Sequence, residues 1–119
     1  MITLPEYHKY YVMILHELED GEVHEFDEIK ELVSKQVFIA KSSSFKYCFG
    51  RACGDLTRAE FITKSKSKQL AITDAGLKAL AEEDKNDPVY WSMRVAYATI
   101  ESTSKQLEEL DEKYGKLNI

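Results

Sequence analysis

Phe45 to Thr73, FKYCFGRACGDLTRAEFITKSKSKQLAIT, places a helical stripe directly before two short strands. Phe45, Cys48, Phe49, Ala52, Cys53 and Leu56 recur at three- and four-residue intervals, the spacing that buries one face of a helix. Phe61-Ile62-Thr63 then has the aromatic and β-branched character of a strand, and Gln69 to Thr73 returns as a second. Ser65 to Lys68 between them is polar and contains neither Gly nor Asn, so a looser loop than a two-residue hairpin turn is expected.

Toward the N-terminus, Thr3 and Glu6 form a capping box around Pro5. Tyr7, Tyr10, Tyr11, Ile14, Leu15 and Leu18 mark an amphipathic helix to about Glu19, which Asp20-Gly21 ends as a turn. Glu22 to Phe26 alternates polar and apolar, as a half-buried strand does. Asp27 is placed to cap a second helix with Ile29, Leu32, Val33 and Val37 inside. Lys41 to Ser44 is a polar loop, and Ser43 or Ser44 caps the third helix.

Toward the C-terminus, Thr73 caps a fourth helix through Ala81, and Glu82 to Asp87 breaks it. Asp87-Pro88 opens a fifth helix, Pro88 to Tyr114, with Gly115 in the C′ place. The element order predicts an α+β, mainly α fold. It is a winged helix-turn-helix over residues 1–81, a linker over 82–87 and a long C-terminal helix over 88–119.

The net charge of −5 is unevenly spread. Lys41, Lys46, Arg51, Arg58, Lys64, Lys66 and Lys68 are opposed between 41 and 68 only by Asp55 and Glu60, so that segment carries +5 and the remainder −10. Such a division implies a partner-facing basic side on an otherwise acidic chain. The alternative is a solvated face produced by chance clustering.

Residues 4 to 80 resemble the N-terminal winged-helix domain of Mrr-type restriction endonucleases. The likeness is carried by LPEYHKYYVMILHELEDGEVHEFDEI, GRACGDLTRAEFI and LAITDAGLKAL. The chain departs from that pattern at Arg51, where an aromatic residue is frequent, and at Glu60, which replaces the Gly of L-x-x-A-G-L-I. Gly tolerates positive φ and Glu does not, so a different turn is expected there. The last helix resembles in architecture the C-terminal dimerisation helix of PadR-like regulators, although their N-terminal motif is absent.

In a helix-turn-helix the third helix enters the major groove. Opposite its buried stripe stand Tyr47, Gly50, Arg51, Gly54 and Arg58. Arg51 suits a bidentate pair with guanine, while Lys46 and Arg58 suit phosphates; Lys41, Ser43, Ser44 and Tyr47 are also expected to contact DNA. Gly50 and Gly54 imply close approach of a partner or a short, kinked helix. Lys64, Lys66 and Lys68 alternate with hydroxyls and are expected to project to one side onto phosphates, or else simply to protect a strand edge.

On the fifth helix, Met93, Ala96, Ile100, Thr103, Leu107, Leu110, Tyr114 and Leu117 follow a/d spacing. Val89, Tyr90, Trp91 and Tyr97 widen the apolar face of its first half. The expected dimer interface comprises Trp91, Met93, Tyr97, Ile100, Leu107, Leu110 and Tyr114. The other reading is an intramolecular helix over the core.

The expected function is that of a dimeric, double-stranded DNA-binding transcription regulator. The alternative is a winged helix that binds a host protein, as a phage or plasmid factor would, without DNA. Glu28-Ile29-Lys30 spells a nuclease E-x-K, but inside a predicted helix. His8, His16 and His24 lack zinc-ligand spacing, and neither a phosphate loop nor a nucleophile elbow is present. No enzyme activity, metal or cofactor is therefore expected. Cys48 and Cys53 suit buried thiols of a reducing cytoplasm, no apolar run has the length of a membrane span, and MITLPEYHKYYVMI lacks the basic region and clean apolar stretch expected of a signal peptide.

Overall fold

The computed structural model describes residues 5–37, 43–82 and 87–115. A 3-10 turn, Glu6–Lys9, runs into α1, Tyr10–Glu17. The chain continues through β1, His24–Glu25; α2, Phe26–Ser34; α3, Ser43–Arg58; β2, Ile62–Lys64; and β3, Gln69–Ile72. It ends with α4, Asp74–Glu82, and α5, Pro88–Tyr114. The fold of the described residues is α+β and mainly helical, with an antiparallel sheet of order β1-β3-β2.

Helical periodicity and burial agree closely. Tyr10, Tyr11, Ile14, Leu15 and Leu18 of the first stripe are buried, as are Phe45, Cys48, Phe49, Ala52, Cys53 and Leu56 of α3. Ile29 and Val33 of α2 complete this side of the core, with Leu32 and Val37 packed against it. Removing such side chains from water contributes roughly 1.5–3 kcal/mol each for the larger aliphatics and Phe. Cys48 and Cys53 are free and buried, and burial pushes the Cys53 thiol up to about 12.

Several boundaries differ from the sequence-based expectation. Thr3 of the expected capping box lies outside the described residues. The first strand is only His24–Glu25, because Phe26 already opens α2. The Phe26 N–H donates to the Lys68 carbonyl at 2.8 Å, and its ring meets Phe49 edge-on at 5.0 Å. These tertiary contacts end the strand early and leave Asp27 in the first turn of α2 rather than at its cap. Ser43 and Ser44 likewise fall inside the first turn of α3.

The α3–β2 turn corrects a second expectation. Glu60 has φ 64°, the left-handed conformation that Gly would adopt at no steric cost. Phe61 N–H donates to Leu56 C=O and Glu60 N–H to Thr57 C=O, both at 3.0 Å. This is a Schellman closure with Glu at C′. Thr73 explains its persistence. Its N–H donates to Phe61 C=O at 3.0 Å, its Oγ1 donates to Glu60 C=O at 2.6 Å, and the same Oγ1 caps α4 by accepting from Gly76 N–H at 3.1 Å.

α5 packs its first half against α1 and α3. Trp91 and Val95 are buried at 0% and 4% exposure. Trp91 therefore leaves the expected dimer interface: its indole fills the core of its own domain. Arg94 pins the helix to α4 through Glu82 at 2.8 Å. Asp87 caps it, accepting from Val89 N–H at 3.0 Å with Pro88 in the first turn. From Lys105 to Tyr114 every side chain is exposed except the half-exposed Asp111.

Candidate nucleic-acid interface

α3 presents Ser44, Lys46, Tyr47, Gly50, Arg51 and Arg58 to solvent, opposite its buried stripe. Lys41 lies outside the described residues, as does the side chain of Ser43. A Cβ at Gly50 would meet nothing within 4 Å, and one at Gly54 would meet only the Arg58 guanidinium at 3.5 Å. Packing among the described residues requires neither glycine.

The two arginines of this face converge on Asp55. Arg51 Nε lies 3.5 Å from Asp55 Oδ1, Arg58 Nη2 donates to the same oxygen, and the Tyr11 hydroxyl donates to Oδ2. The Arg51 guanidinium also stands 4.8 Å over the Tyr7 ring, a cation–π contact. The Asp55 side chain is 14% exposed, against 45% for Arg51 and 57% for Arg58. A half-sunk carboxylate thus draws two exposed guanidinium groups along the helix surface. Burial and the bond to Asp55 hold the Tyr11 phenol well above its ordinary range.

The cluster extends to α5. His8 stacks on Tyr11 at 5.1 Å, and its Nδ1 lies 2.7 Å from Ser92 Oγ. Burial keeps the His8 imidazole below its ordinary value, with Asp55 opposing the shift. Sequence reasoning missed Asp55 as an organising group. Its positions four after Arg51 and three before Arg58 were a readable signal, since such pairs are neighbours on a helix. The contact with Tyr11, 44 residues away, had no local signal.

The β2–β3 hairpin does not present its lysines as an alternating row. Strand geometry ends at Lys64, and Ser65–Lys68 is a turn closed by Lys68 N–H to Ser65 C=O at 3.0 Å. Lys68 has φ 61°, the arrangement of a type I turn with a bulge. Lys64 is registered opposite the buried Leu70, so it shares the inner face, and its Nζ stands 4.9 Å over the Phe26 ring. Lys66 and Lys68 occupy the turn itself. All three remain exposed.

Met93, Tyr97, Ile100, Leu107, Leu110 and Tyr114 are exposed, between 53% and 70%. Glu28, Ile29 and Lys30 lie in α2. His24 is held by Asp20 at 2.9 Å and Glu28 at 3.1 Å, and these carboxylates raise its pKa. Among the described residues, no group of three or more His, Cys, Asp or Glu is placed to hold a metal ion, and no helix is long and apolar enough to cross a membrane. No family model matches this chain, and neither a curated protein nor a solved structure is similar to it.

Proposed function

We propose that this chain is a winged helix-turn-helix protein that binds double-stranded DNA as a dimer and regulates transcription. α3 is the reader helix in the major groove, and the β2–β3 hairpin is the wing on phosphates. One observation carries this reading: Lys46, Arg51 and Arg58 on α3, and Lys64, Lys66 and Lys68 on the hairpin that follows, are all exposed in an otherwise acidic chain. The element order supports it. So does the bare surface at Gly50, where a base edge or phosphate can approach the helix backbone.

In this reading Arg51 contacts a base, whereas Lys46, Arg58 and the wing lysines hold phosphates. Selection from a random pool of duplexes tests it. The expected product is an inverted repeat with half-sites about 34 Å, one helical turn, apart. A pool that emerges without an enriched motif refutes sequence-specific reading.

A further inference from the structure

α5 leaves a self-matching apolar stripe. Met93, Tyr97, Ile100, Leu107, Leu110 and Tyr114 are separated by intervals of four, three, seven, three and four residues, the same sequence from either end. Its centre falls at Thr103 and Ser104, small enough for close helix approach. Beyond Lys105 the helix stays exposed to its end at Tyr114, and Leu107, Leu110 and Tyr114 keep an apolar stripe in water there. This half needs a cover.

The charge distribution identifies the cover and its direction. Glu108, Glu109, Asp111 and Glu112 make the outer turns of α5 acidic. A parallel pair would set these carboxylates against their own copies. An antiparallel pair sets them against the first half of the other α5, beside a groove of about 440 Å³ between that helix, α4 and the α3–β2 turn. Lys78, Lys105 and Arg94, the last already paired with Glu82, line the groove, against Glu60 and Glu101. Ser102, on the same wall, is 4% exposed, and its hydroxyl has no hydrogen-bond partner among the described residues.

We infer that the occupant of this face is a second copy of the chain, with the two α5 helices antiparallel and their two-fold axis within one turn of Ser104. Each acidic outer half lies along the other copy's groove. The inference rests on the dimeric part of the proposed function and fixes its geometry, without depending on DNA.

One added cysteine at a time and mild oxidation of the full chain test it, with the wild type reporting on the buried Cys48 and Cys53. Ser104→Cys is expected to give disulfide-linked dimers. Met93→Cys and Tyr114→Cys should each link poorly alone but efficiently when mixed. Spin labels on Tyr114→Cys should lie about 30 Å apart, the rise of roughly 20 helical residues. Efficient self-linking at 114, or a monomer at every concentration, overturns the proposal. A parallel dimer that binds DNA would leave the proposed function standing, whereas an antiparallel dimer indifferent to DNA would do the reverse.

Discussion

Thr73 fastens the left-handed Glu60 from across the hairpin, donating Oγ1 to its carbonyl at 2.6 Å. The α3–β2 turn is thereby held by the residue that also caps α4, so the start of one helix and the end of another share one side chain. Left-handed backbone costs a non-glycine residue about 1–2 kcal/mol, while Gly loses about 0.4–1 kcal/mol more on folding. Glu60→Gly should therefore stabilise the fold by about 0.5–1 kcal/mol. Thr73→Ala should cost about 1–2 kcal/mol by removing the cap. Urea unfolding midpoints check both, and Thr73→Ser should retain most of the stability.

Gly76 shows where backbone must approach backbone. A Cβ there would overlap the Phe61 carbonyl oxygen and come within 2.7 Å of Ile72 Cγ1. Gly76→Ala is expected to destabilise by about 2–3 kcal/mol, the upper range for overpacking. Gly50→Ala, with open space around it, should stabilise α3 by up to about 1 kcal/mol. Thermal unfolding of the two variants side by side separates these opposite signs.

Asp55 holds the two arginines that the proposed function assigns to DNA. Asp55→Asn removes its charge and releases Arg51 and Arg58, so affinity for duplex DNA is expected to rise at least about threefold, with a steeper salt dependence. Stability should fall by about 1 kcal/mol, because Tyr11 loses a charged acceptor. Anisotropy titrations with labelled duplex measure the first effect. Unchanged affinity would mean that these arginines do not contact DNA.

The pKa values of His24 and His8 are displaced in opposite directions. His24, between Asp20 and Glu28, should titrate above its ordinary value of 6.5, and half-buried His8 below it. The His24 contribution to stability is then fully present below the unfolded value and lost as pH rises through its folded value. That of His8 is present above 6.5 and lost as pH falls through its own, lower folded value. Proton NMR of the imidazole resonances reads both shifts directly.

The α3 stripe is fully legible in the sequence because burial there follows helical spacing from Phe45 to Leu56, which local sequence encodes. Local alternation makes β1 too long because Phe26 is claimed by the Phe49 ring and the Lys68 carbonyl, both distant in sequence. The α5 face is visible too, but the local pattern does not tell which side of the helix, that of Trp91 or that of Tyr97, meets the core. At the candidate interface the cations are legible one by one. Their restraint by Asp55, and the inward turn of Lys64 onto Phe26, depend on how elements pack.

Binding of the wild-type chain to duplex DNA across a sodium chloride series tests the central claim most directly. The expected result is a linear fall of log affinity with log salt. Lys66→Ala should make that slope shallower by about 0.9 for each phosphate the lysine neutralises, whatever the sequence. Affinity indifferent to salt, or no binding even at low ionic strength, would contradict the account.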